Sequence, residues 1–145
     1  MTTKPSILDS ITVSPEEGRA VPDAATRKII GYAPKHEPEL LNTLMEDARQ
    51  AQPGWAALGH AERSRILNAI ADDLEANLEE LAVLLSREQG KPLDGPNARF
   101  EIGAAATWTR DAANTPVEPE VIVDDNSGRV EVHYDPLGVV AAIGP

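Results

Sequence analysis

The segment that most constrains this chain is the apolar run Val139-Val140-Ala141-Ala142-Ile143, set between Pro136-Leu137-Gly138 and Gly144-Pro145. A short unbroken apolar run bounded by glycine and proline reads as an extended strand buried on both faces, the pattern found inside parallel sheets. Such a strand needs neighbours, and the sheet that would supply them is not encoded in the other residues. The expectation is that these 145 residues are the front part of a larger α/β fold. In folds of that class the chemistry gathers at the carboxyl ends of the strands.

Charge and composition remove several functions. With 24 Asp plus Glu against 13 Lys plus Arg the formal net charge is -11, which opposes binding to nucleic acid and to anionic membrane surfaces. The chain has no cysteine, so it offers no disulfide, no thiolate nucleophile and no zinc-thiolate site. No apolar run approaches the ~20 residues of a membrane span, and Met1-Thr2-Thr3-Lys4-Pro5 lacks the apolar core of a signal peptide. A cytoplasmic location is the default expectation.

Proline and glycine divide the chain into four parts. Residues 1–36 carry Pro5, Pro15, Pro22 and Pro34 with short apolar runs such as Ile7-Leu8 and Ile29-Ile30, which suits a surface arm with one or two short strands. Residues 37–115 read as helices. Leu41, Leu44, Ala48, Ala51 and Trp55 line one face of a first helix that begins after Pro38 and is ended or distorted at Pro53-Gly54. A second runs from about Ala61 to Ala76 with Ile66, Leu67, Ile70 and Leu74 inward. Asn77 with Glu80 resembles a capping box for a third, which directs Leu78, Leu81, Ala82, Leu84 and Leu85 inward and stops at Gly90-Lys91-Pro92. A fourth, about Ala98 to Ala113, has the small residues Gly103-Ala104-Ala105-Ala106 for close approach and Phe100 and Trp108 as bulky contacts.

In residues 116–136 the period changes to two. Val121 and Val123, the turn Asp125-Asn126-Ser127-Gly128, and Val130, Val132 and Tyr134 describe a β-hairpin over 120–135. Two strands alone are marginal in water. The hairpin therefore joins a larger sheet or pairs its edges with another subunit. Residues 137–145 hold the expected first strand of the larger sheet.

Residue types that carry chemistry are present but dispersed. His36, His60 and His133 share no ligand spacing, so a metal site is not expected. The acidic pairs Asp72-Asp73, Glu79-Glu80 and Asp124-Asp125 read as solvated charge in preference to general acid-base machinery. Gly138 and Gly144 bracket a strand instead of opening a helix, so they are not a dinucleotide fingerprint. Lys91, directly after the helix-terminating glycine, complements the helix dipole. Trp55 and Trp108 read as core or interface anchors. No catalytic set emerges.

Taken in order, Pro22-Asp23-Ala24-Ala25-Thr26-Arg27-Lys28-Ile29-Ile30-Gly31, then Trp55, Glu62-Arg63-Ser64-Arg65-Ile66-Leu67, Ala71-Asp72-Asp73-Leu74-Glu75, Leu81-Ala82-Val83-Leu84-Leu85, Glu88-Gln89-Gly90-Lys91-Pro92 and Pro136 to Pro145 resemble the N-terminal part of the aldehyde dehydrogenase superfamily. Each piece is weak alone. Their order and spacing, from about Val21 to Pro145, make the resemblance specific.

The resemblance implies NAD(P)-dependent oxidation of an aldehyde to a carboxylic acid through a thiohemiacetal and a thioester on a catalytic cysteine. It implies an α/β fold with a helical layer, an oligomerisation hairpin near Val121 to Tyr134 that makes a homo-oligomer, and a first strand of a Rossmann-like cofactor sheet at Val139 to Ile143. Ile143, Gly144 and Pro145 would lie beside the bound NAD or NADP. The family pattern continues after this Gly-Pro with Trp-Asn, whose Asn helps hold an oxyanion, and later with a cofactor-binding lysine, a general-base glutamate and the nucleophilic cysteine. The 145 residues are therefore expected to be silent alone. The alternative is a non-catalytic module that pairs through the 120–135 hairpin.

Overall fold

Turns and helix ends fall where glycine, proline and Asx residues interrupt the chain. The structure, a computed structural model, describes residues 6–7 and 11–144. In order, its elements are β1 (Gly18–Pro22), β2 (Ile29–Pro34), α1 (Leu40–Ala57), α2 (His60–Ala76), α3 (Leu78–Gln89), α4 (Ala98–Asn114), β3 (Glu120–Asp125) and β4 (Gly128–Val132). The strands form two separate antiparallel hairpins, β1 with β2 and β3 with β4.

The first hairpin is the arm expected from the prolines. Gly18 pairs with Pro34 and Val21 with Gly31. A Cβ at Gly18 would stand 2.6 Å from Val13 Cγ2 and 2.8 Å from the Ala33 carbonyl oxygen, a closeness that only glycine permits. The turn between the strands holds Arg27 at φ 62, the one non-glycine residue with positive φ among those described.

Helix α1 runs through Pro53 and on to Ala57. Pro53 therefore does not end the helix. Its missing N–H leaves the Arg49 carbonyl without its intrahelical donor, a defect that an exposed helix meets with water. No residue of α1 is buried. Leu41 is 61% exposed, Leu44 50% and Trp55 41%, so the apolar face of this helix is turned largely to solvent.

Helix α4 packs against both α2 and α3. The buried apolar residues at this centre are Ala71 of α2, Ala82 of α3, and Ala98, Ala106 and Ala113 of α4. Small side chains let the helix backbones come close, as the Gly103-Ala106 stretch predicts. Among the described residues no side chain larger than alanine is fully buried. Charged groups tie the same helices together. Arg110 Nη2 donates to Asp72 Oδ1 at 2.8 Å and Glu75 Oε2 at 2.7 Å. Arg99 makes a two-pronged pair with Glu79 at 2.8 and 2.9 Å and also bonds Asp94.

Two local expectations need correction. Phe100 and Trp108 are 59% and 71% exposed, because on α4 they lie off the alanine face that meets α2 and α3. Asn77 makes no side-chain cap bond to α3. Its Nδ2 donates backwards to the Asp73 carbonyl at 2.6 Å, and Glu80 accepts from Ser6 Oγ, so the capping box is not formed. The stop at Gly90 is as expected, with φ 72 and its N–H on the Ser86 carbonyl at 2.8 Å.

The second hairpin matches the period-two reading, with Asp125 opposite Gly128 across the Asn126-Ser127 loop and a register shift between Val121 and Val123. The segment after it does not form the doubly buried strand expected at 137–145. Residues 136–144 carry no strand, Gly138 adopts φ 83, and Leu137 and Ile143 are 91% and 94% exposed. A strand gains its hydrogen bonds from neighbours, and among the described residues no strand pairs with this run. The chain exposes 10980 Å², against about 7,200 Å² for a compact monomer of its 15.5 kDa mass.

Candidate functional site

Of the three residues that the family resemblance assigned to a dinucleotide, the two described ones are accessible. Ile143 and Gly144 lie on the exposed terminal segment, and Pro145 lies outside the described residues. A Cβ placed on Gly144 would meet nothing within 4 Å, so a ligand has free approach to the backbone there.

Several other titratable groups are engaged in structure. Among the described residues no three of His, Asp and Glu cluster as metal ligands. His133 Nε2 is 3.0 Å from Glu131 Oε2 on the exposed hairpin. The Glu131 carboxyl is held below its usual range by Arg129 first and then His133. The Asp125 carboxyl is held low by the Ser127 hydroxyl and N–H that it accepts in the turn. Lys91 bonds Glu101 of α4, which agrees with a structural role for that lysine.

The most organised polar centre is one the sequence reading left unassigned. Asp23, only 7% exposed, closes the β1-β2 turn by accepting the N–H groups of Ala25 at 3.0 Å and Thr26 at 2.9 Å on Oδ1. Its Oδ2 accepts from Arg87 Nε of α3 at 3.0 Å. The Thr26 N–H and the Arg87 guanidinium hold the Asp23 carboxyl down at about 2. Asp-x-x-Thr between two short β-rich runs is an Asx-turn signal and could have located the turn. Nothing local in the sequence points from it to Arg87.

Residues 12–145 match the aldehyde dehydrogenase family. This chain belongs to that family. A probable aldehyde dehydrogenase from a Pseudomonas species is 38% identical over 122 residues, covering 83% of this chain and 24% of the relative. The fold resembles that of glyceraldehyde-3-phosphate dehydrogenase GapN from Methanocaldococcus jannaschii complexed with NADP, at 25% identity and a TM-score of 0.68, over 77% of this chain and 25% of that one. It also resembles PnpE in complex with nicotinamide adenine dinucleotide, at 29% identity and a TM-score of 0.66, over 75% of this chain and 23% of that one. The aldehyde dehydrogenase relatives are thus longer, and this chain spans about a quarter of their length. The helical layer and hairpins described above are the family's fold in that quarter.

Proposed function

We propose that these residues form the N-terminal portion of an NAD(P)-dependent aldehyde dehydrogenase that oxidises an aldehyde to a carboxylic acid. The observation that carries this reading is the family match over residues 12–145, supported by the likeness of the fold to structures complexed with NADP and with nicotinamide adenine dinucleotide. Bound NAD or NADP supplies the hydride acceptor for the two electrons that leave the aldehyde carbon. The roles left to this chain are to build the helical layer, to present Ile143, Gly144 and Pro145 as one edge of the dinucleotide site, and to offer the β3-β4 hairpin to another subunit. Support for the last role is the exposure of Val121, Ile122, Val130 and Val132 on a two-stranded ribbon. Such a ribbon gains from a partner sheet.

The chemistry of the complete reaction needs a thiolate to attack the aldehyde carbon, and these residues include no cysteine. Alone, then, they should make no NAD(P)H from any aldehyde. The deciding experiment is to read the gene beyond the codon for Pro145. A frame that continues with Trp-Asn and reaches a cysteine and a glutamate supports the reading. A stop codon there overturns the dehydrogenase assignment for this polypeptide. The hairpin alternative, a stand-alone interaction module, has no separate observation in its favour.

A further inference from the structure

We propose that the β1-β2 hairpin is a strap that opens as its own unit, and that the Asp23–Arg87 clasp is what holds it shut against α3. Close packing of the strap is strand on strand, whereas the helices pack on one another. Its tie to the helices is concentrated at the tip. There Ala24 N–H donates to the Arg87 carbonyl at 2.7 Å while Arg87 Nε reaches back to Asp23 Oδ2 at 3.0 Å, so one residue of α3 is both donor and acceptor to the turn. The carbonyl concerned belongs to the last turn of α3, where carbonyls have no intrahelical donor. The strap thus caps the helix, and the helix pins the strap.

Away from the tip the hold is weak. Ile29 of β2 is 51% exposed and Ile11 beside the strap 47%. A cavity of about 140 Å³ lies between strap and helix, lined in part by Val21, Ile30, Tyr32, Leu84 and Glu88. A segment with little buried apolar area and few long-range ties opens locally at lower free energy than the packed helices. Opening would leave the Asx turn of Asp23 with Ala25 and Thr26 intact, since those bonds are internal to the strap.

Hydrogen exchange followed by mass spectrometry tests this on the whole 145-residue chain and on Arg87→Gln. Arg87 is a half-exposed helix position, so the substitution leaves the helices folded. The expected result is exchange about three- to tenfold faster over residues 18–34 and in the last turn of α3, with α2 and α4 unchanged. Asp23→Asn, which keeps an acceptor for the turn but weakens the tie to Arg87, should act in the same direction and serves as the second variant. Equal acceleration in strap and helices would overturn the independence of the unit. An unaltered strap in both variants would overturn the clasp.

Discussion

Asp23 is a residue whose protonation the fold feels. Its carboxyl is held at about 2 in the folded chain and returns to about 3.9 when unfolded. A depressed folded value means that the charged form stabilises the fold. That contribution is complete above about pH 5 and is lost as pH falls through 4 towards 2. Asp23→Asn should therefore show a flatter fall in urea midpoint between pH 5 and pH 2 than the parent chain; identical slopes would mean that the carboxyl is not held as described. Gly90 provides a second residue-level test. At φ 72, with the Ala24 Cβ only 3.3 Å from where its own would stand, Gly90→Ala should cost about 1 kcal/mol by denaturant titration. The glycine stop was legible because it depends on local backbone geometry. The Asp23–Arg87 pair was not, because it joins residues 64 apart and no local pattern specifies such a distance.

At the scale of elements, periodicity located the four helices and the hairpin over 120–135, and the prolines an arm with short strands, since amphipathic spacing and turn chemistry act over a few residues. It did not tell which faces are covered. Leu41, Leu44, Trp55, Phe100 and Trp108 have helical spacing, yet all are exposed, while the buried positions are alanines. Apolar spacing tells which face wants cover and not which face receives it here. Two substitutions separate the cases. Ala106→Leu puts extra volume where α4 meets its neighbours and should destabilise by about 1–3 kcal/mol. Trp108→Ser, at a 71% exposed site, should change stability by less than about 0.5 kcal/mol, with thermal and urea unfolding as the measurements. Equal losses would show that the aromatic face is packed after all.

For the molecule as a whole, the large exposed area and the string of uncovered apolar side chains lead to one expectation. Contiguous apolar surface beyond a few hundred Å² on a soluble chain marks a site of contact, so the purified 145-residue chain should bind a hydrophobic dye and lose that binding when a covering partner is present. A cooperative thermal transition with no dye binding would contradict this. The sequence pattern marks no site by itself. Ile143 and Gly144 enter only through the family resemblance, because a crevice is made by several strands and an apolar run does not say what lies across from it.

The alanine centre has a thermodynamic corollary. Five buried alanines hide little hydrocarbon, and the heat capacity released on unfolding and the denaturant slope both scale with newly wetted area. This chain should therefore melt with a shallow urea dependence and a small calorimetric step for its length. Its stability curve would be broad and low, responding weakly to temperature and denaturant alike.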